Sequence, residues 1–262
     1  MEAQIRQTAR KYLPGRIRRP LGRAGGKFKE WFLEPLQGLL FDAVGGRFRT
    51  QGCIFEIPKN LTTRTYRACF WKGDYEREER DLIERWIRPE DNVLEIGACL
   101  GIVSCVTNKL LSEKSRHVVV EANPLCLGPL KRNKELNGAN FLIEHCAVGE
   151  APEVTFYLHP VYIVGGTSQR PTDRPVQVPG KSMDQLEREH GPFTVLIIDV
   201  EGSEQEIFEQ SRDVLQKYRL IVVELHEFAI GVKGVQRCRE ILRASGLQLV
   251  DRSGITEAWQ RQ

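Results

Sequence analysis

Residues 93–101 read Val93-Leu94-Glu95-Ile96-Gly97-Ala98-Cys99-Leu100-Gly101, and residues 102–111 continue as an apolar helical stretch. A short apolar strand, a glycine turn and a helix make the first half of a βαβ unit. Gly97 permits the tight turn, and Gly101 lets the helix approach the strand closely. The second half ends in Val118-Val119-Val120-Glu121, with the acid 20 residues after Gly101. A carboxylate there can accept hydrogen bonds from both hydroxyls of a ribose. The unit therefore reads as a nucleoside-cofactor site.

The same rhythm continues outward on both sides. Strands are expected at 92–96, 117–120, 141–146, 194–198, 220–225 and 247–250, with helices at 102–111, 129–136, 203–215 and 235–244 between them. Alternation of fully apolar strands with helices predicts an α/β fold, a mostly parallel twisted sheet flanked by helices. Val154–Leu158 alternates and is expected as an added edge strand, and only residues 255–259 could supply a final antiparallel strand. Upstream, residues 76–87 predict an amphipathic helix with Leu82, Ile83, Trp86 and Ile87 on one face, and residues 47–57 extended chain. Residues 159–181, with four prolines and Gly165-Gly166-Thr167-Ser168, are expected to form a loop over the substrate, where Arg170, Arg174 and Lys181 could meet an anionic acceptor.

The chain has 262 residues, 41% hydrophobic and 28% charged, enough for one large domain with an extension. Its net charge of +3 is unevenly spread. Residues 1–29 hold nine basic side chains against Glu2 alone, leaving 29 basic and 34 acidic groups in the rest. We divide the chain into a basic N-terminal extension, 1–46, ending in an amphipathic stretch, and a catalytic domain, 47–262. The basic arm could stay solvated as a tail or seek phosphates on nucleic acid or membrane, and the apolar residues Trp31, Phe32, Leu36, Leu39, Leu40 and Phe41 after it could add peripheral membrane contact through residues 1–41 or pack on the domain. No apolar run is long enough to span a bilayer, and no secretory signal is read. Cys53, Cys69, Cys99, Cys105, Cys126, Cys146 and Cys238 form no C-x-x-C pair, so reduced thiols and a cytoplasmic location, including the inner membrane surface, are expected.

Two cofactor classes fit the βαβ unit. A dinucleotide site wants a third glycine, so that turn and helix N-terminus can cradle a pyrophosphate. This turn has none, and Glu95 would repel a phosphate. Glu95 suits instead a cationic sulfonium and the amino group of a methionine tail. At this point the chain resembles a known family. From about residue 53 to 250 it is similar to the FkbM methyltransferases. The matching stretches are Tyr75-Glu76, Leu94–Gly101, Glu121-Ala122-Asn123-Pro124, Asn133 to Asn137-Gly138, Ala147-Val148-Gly149, Ser182-Met183-Asp184, Ile198-Asp199-Val200-Glu201-Gly202-Ser203-Glu204 and Glu224-Leu225-His226. The resemblance implies a Rossmann-like class I methyltransferase fold, S-adenosylmethionine as methyl donor and mainly hydroxyl acceptors. It implies cofactor binding by Glu95, Gly97, Ala98, Cys99, Gly101, Glu121, Ala122 and Ala147, and an acceptor pocket lined by Tyr75, Glu76 and Glu224. Cys99 stands where the family commonly has Asn, Glu95 where Asp is frequent and Ile197 where Lys is usual.

The catalytic residues are expected on the next two strands. Val195-Leu196-Ile197-Ile198 runs into Asp199 and Glu201, and Val222-Val223 into Glu224 and His226. Strand period two aims each pair one way, toward a common rim. His226 could act as general base, or Asp199 could be the base itself. A divalent metal on Asp199, Glu224 and His226 is a third reading. Ser203 with Glu206 fits a capping box opening the following helix, with Glu204 matching the helix dipole. The acceptor is expected to be a small molecule or glycan, such as a sugar, glycolipid or natural product. Nucleic acid is disfavoured, since no aromatic follows Asp199 to stack a base and an acidic rim repels phosphate. Protein or RNA methylation, a nicotinamide-dependent oxidoreductase and a non-catalytic binding module on the same fold stand as alternatives. The oligomeric state is open.

Overall fold

The computed structural model describes residues 33–159, 165–166 and 171–262. The basic arm 1–29, Trp31 and Phe32, and Pro160, Thr167, Ser168 and Arg170 of the expected cover loop lie outside the described residues.

The described chain opens with α1 (Glu34–Ala43), the hairpin β1 (Arg47–Thr50) and β2 (Cys53–Glu56), then α2 (Arg64–Lys72) and α3 (Arg77–Trp86). α1 lies against α2. A Cβ on Gly38 would come within 1.9 Å of the Arg64 carbonyl oxygen, so only glycine allows this approach. Arg67 of α2 is buried on Asp42 at 2.7 Å, and Lys72 reaches Glu34 at 3.1 Å. α2 starts at Thr63, whose hydroxyl accepts the Tyr66 N–H, and ends at the left-handed Gly73.

Next come β3 (Val93–Ile96), α4 (Ile102–Leu110), β4 (His117–Val120), α5 (Leu127–Leu136) and β5 (Leu142–Glu144). A small sheet follows, β6 (Ala147–Val148), β7 (Glu153–Leu158), β8 (Gly165–Gly166) and β9 (Pro175–Lys181). The chain closes with α6 (Met183–His190), β10 (Val195–Ile198), α7 (Glu204–Gln210), α8 (Arg212–Leu215), β11 (Leu220–Glu224), α9 (Glu227–Ala244), β12 (Leu247–Ser253) and β13 (Thr256–Arg261).

The main sheet has the order β12-β13-β11-β10-β3-β4-β5, parallel from β11 to β5. β3, β4 and β10 are buried at every position, which explains their unbroken apolar runs. Leu94, Ile96, Leu196, Ile198 and Val223 pack on one face with Cys238 and Ile241 of α9. Val93, Val195, Ile197 and Val222 pack on the other with Leu82 and Ile83 of α3. The sheet is the mostly parallel, helix-covered one expected.

Several local expectations change. The final antiparallel strand exists, but it inserts between β11 and β12. Val154–Leu158 belongs to the small sheet, not to the edge of the main one, and pairs with β9. β9 itself lies where a proline-rich loop was expected. β6 pairs only Gly180 and Lys181, so Pro175 and Pro179 face a partner strand on one side alone. α9 begins at Glu227, before the expected 235, and is kinked at Gly231. Ser203 makes no capping hydrogen bond, so the capping box is not formed; the Glu204 carboxylate accepts the Gly202 N–H at 2.9 Å instead. Among the described residues no helix is long and apolar enough to cross a membrane.

Candidate active site

The chain runs outward from β3 to β4 and β5, then returns to β10 and β11 on the other side of β3. The loops after β3 and β10 therefore part in opposite directions and leave a crevice at the carboxyl edge, where open α/β sheets bind ligands. At its floor Gly97 has φ +97°, and a Cβ there would lie 1.7 Å from the Asp199 carbonyl oxygen. The turn is held by Gly97 N–H and Ala98 N–H donating to the Val120 carbonyl, at 2.9 and 3.3 Å, and by Gly101 N–H donating to Ala98 at 2.7 Å. Cys99 also takes a left-handed φ, +50°. Its N–H thereby points at Glu121, donating to Oε2 at 2.6 Å, while Asn123 N–H donates to Oε1 at 2.6 Å.

Glu121 is thus fixed beside the turn by backbone donors, from Cys99, Asn123 and Ala122, and of its four lone-pair sites one is left for a ribose hydroxyl. Burial pushes its pKa up to about 7, against the backbone hydrogen bonds from Asn123, Cys99 and Ala122 that pull it down. Ala122 and Ala147 lie further out, packed with Phe156, Leu158 and Val178 of the small sheet.

Glu95 needs a correction. It is 1% exposed, and both its oxygens are engaged, one by the Ser104 hydroxyl and the other by His117 Nε2 at 3.1 Å. The residue ties β3 to α4 and β4 beneath the turn and is not free to contact a sulfonium or an amino group directly. Its charge still reaches the site, raising the pKa of Glu76 and Glu121.

Tyr75 stacks on Phe70 at 4.4 Å between ring centroids, and its hydroxyl donates to Cys99 Sγ at 3.4 Å. Glu76 follows with φ +47° at the start of α3. Burial raises its pKa to about 8; the Tyr75 hydrogen bond and Arg80 oppose this, while Glu224 and Glu95 add to it. Tyr75 and Glu76 therefore link the turn at Cys99 to Glu224 at the end of β11.

Asp199, Glu201, Glu224 and His226 do converge. His226 Nε2 lies 3.6 Å from Asp199 Oδ1, 3.5 Å from Glu224 Oε1 and 3.8 Å from Glu201 Oε2. The route differs from simple strand alternation, because Glu201 is in a left-handed turn at φ +53°. On its other nitrogen His226 donates to Glu204 Oε1 at 2.6 Å. Burial disfavours the imidazolium, yet Glu204 and Glu201 outweigh it, and the pKa rises well above the usual histidine value. The surrounding carboxylates favour the protonated ring, which weighs against the reading of His226 as the general base. Asp199 is the stronger candidate. Its pKa is raised well above the carboxylate range by burial and by Glu224, with His226 opposing. Its Oδ1 is buried and has no hydrogen-bond partner.

Two acids escaped the sequence reading of the site. Glu204, fully buried, is the residue that orients His226, and its place in the first turn of a helix disguised it as a dipole partner. Glu79, 2% exposed, has its pKa raised by burial and then by Asp199, Glu76 and Glu224. A signal for Glu79 was present, since 79, 82, 83 and 86 share one helical face and an acid there interrupts an apolar stripe.

The mostly parallel sheet, with a glycine turn and strand-end acids at its switch point, is the Rossmann-like fold of class I methyltransferases. The sequence profile of the methyltransferase FkbM domain matches residues 95–248, and the chain belongs to that family. Similar solved structures include precorrin-6y C5,15-methyltransferase from Geobacter metallireducens, 14% identical, covering 79% of this chain and 93% of that one with a TM-score of 0.47. An O-methyltransferase from Bacillus cereus in complex with SAH is 16% identical over 89% and 95% of the two chains, TM-score 0.46. An O-methyltransferase from Streptomyces achromogenes involved in tomaymycin synthesis is 17% identical over 70% and 80%, TM-score 0.45. No curated protein matches the chain.

Proposed function

We propose that this chain transfers the methyl group of S-adenosylmethionine to a hydroxyl of a small-molecule or glycan acceptor, with Asp199 as the base. The observation that carries this reading is the Asp199 carboxylate: it stands at the switch point beside Gly97, with a buried Oδ1 that has no hydrogen-bond partner and a pKa raised by burial, which makes it a stronger base than an ordinary carboxylate. A base is most effective when its pKa lies near the working pH. The donor supplies an electrophilic methyl on a sulfonium. Glu121 would hold its ribose, and the carboxylates of Asp199, Glu201 and Glu224 favour binding of its positive charge over the uncharged thioether left after transfer. Glu204 fixes His226, and His226 in turn keeps Asp199 and Glu224 together despite their like charge. The test is transfer of labelled methyl from S-adenosylmethionine to a panel of sugar, glycolipid and polyol hydroxyls. Transfer to a hydroxyl supports the reading, whereas label found only on protein or RNA overturns it.

A pH dependence follows from Glu121. The neutral acid loses an acceptor site, and ribose hydroxyls favour the anion, so the bound-state pKa lies below the free value of about 7. Affinity for S-adenosylmethionine is expected to be flat above neutrality and to weaken by up to about tenfold per pH unit below it. Calorimetric titration across that range checks the slope; an affinity independent of pH removes Glu121 from the ribose.

A second reading rests on a separate observation. Asp199, Glu224 and His226 each offer a ligand atom, all within 4.8 Å of one another, a set that fits a divalent cation once His226 loses its proton. Such an ion would lower the acceptor hydroxyl's pKa. On that reading, chelator-treated protein has no transferase activity and regains it with Mg²⁺ or Mn²⁺. Undiminished turnover after chelation leaves Asp199 as the base.

A further inference from the structure

α1 is built the wrong way round for a surface helix. Its polar residues turn inward, Glu34 onto Lys72 and Asp42 onto Arg67, both as ion pairs. Its aliphatic residues turn outward. Leu33, Leu36, Leu40 and Val44 are 42%, 51%, 43% and 66% exposed and follow one another at spacings of three and four, with Leu39 beside them at 47%. That spacing puts them in a single stripe. Glu34 and Asp42 are the only charged residues between 33 and 44, so the outward face carries no charge. Among the described residues the packing of the domain does not use this stripe, and α1 is anchored through Gly38, Phe41 and its two ion pairs. Scattered exposed leucines are ordinary; a contiguous uncharged row of them on one helix marks an interaction surface.

The charge of the chain indicates what covers it. The segment leading into α1 has nine basic side chains and one acid in residues 1–29, then Trp31 and Phe32 directly before Leu33, while residues 30–262 carry a net negative charge. A cationic segment, an aromatic pair and an uncharged apolar helix face, continuous in sequence, match the three layers of an anionic bilayer surface: phosphate headgroups, interface and upper acyl chains. The body of the protein, being acidic, would be repelled by that surface on its own. We propose that the α1 leucine row is a peripheral membrane-docking face, seated in anionic phospholipid. This assignment does not depend on the methyl-transfer reading.

The test is flotation of the full chain with phosphatidylcholine vesicles and with phosphatidylcholine vesicles containing phosphatidylglycerol. Binding is expected only to the anionic vesicles, weakened at high salt. The double variant Leu36→Gln/Leu40→Gln, which alters exposed positions only, is expected to bind at least about tenfold less, given the apolar area withdrawn from the interface. Its far-ultraviolet spectrum and S-adenosylmethionine affinity are expected to match the wild type. Two results would overturn the proposal. One is equal vesicle binding by the variant and the wild type, or none by either. The other is a wild-type dimer in sedimentation velocity that the same substitutions convert to monomer, which would give the row to a second copy of the chain.

Discussion

Asp199→Asn is expected to reduce kcat for methyl transfer by about 10²–10⁴-fold, the range for loss of a positioned base, with S-adenosylmethionine affinity changed far less. The substitution keeps the shape of the side chain, and the backbone carbonyl against which Gly97 packs is untouched. What it removes is the basicity of the carboxylate, since the amide keeps an acceptor at Oδ1 but does not take up a proton. It also relieves like-charge repulsion with Glu224, so stability is expected to hold or rise slightly. Raised Asp199 pKa gives the sign of the pH profile: wild-type kcat climbs as pH rises through that ionisation, and the variant's residual rate lacks the step. Steady-state rates from mildly acidic to alkaline pH measure both. An undiminished kcat in the variant would remove Asp199 from proton transfer.

Gly97→Ala is expected to have the second largest effect, on stability and cofactor binding together. Two penalties combine at this position. An alanine at φ +97° is strained by about 1–2 kcal/mol. Its Cβ would also lie 1.7 Å from the Asp199 oxygen, a backbone atom that moves only if the ends of β3 and β10 part. Overpacking of that kind costs about 1–3 kcal/mol more. Gly45→Ala is the control, since Gly45 also has a positive φ, +100°, but no atom within 4 Å of the added Cβ. Chemical denaturation is expected to show Gly97→Ala losing about 2–5 kcal/mol and the control only the backbone share. Equal losses in the two variants would mean that the close approach of β3 and β10 contributes nothing.

Much of this site could be read from the chain because buried parallel strands leave a plain signature. Val195–Ile198 and Leu220–Val223 have no polar residue until the carboxyl edge, so Asp199 and Glu224 stand out as acids with no packing reason to be there. The same logic located Glu121 at the end of Val118–Val120. What could not be read was the direction in which a buried acid is spent. Glu95 and Glu121 both end a strand, yet Glu95 is consumed by Ser104 and His117 while Glu121 stays beside the turn. Partners 9 and 22 residues away decide this, and no local pattern reveals them. The protonation of His226 was illegible for a similar reason, since it depends on four carboxylates brought in by three separate segments. The small sheet was hidden by its own composition, because Pro175 and Pro179 argue for loop unless one knows that the strand has a partner along only one side.

The most direct test of the account is calorimetric titration of S-adenosylmethionine into the purified chain and into Glu121→Ala. Micromolar binding by the wild type, weakened by about 10–100-fold in the variant as a hydrogen bond to a charged group is lost, is the predicted result. A wild type that binds no S-adenosylmethionine, or a variant that binds it equally well, would contradict the placement of the cofactor between the Gly97 turn and the end of β4.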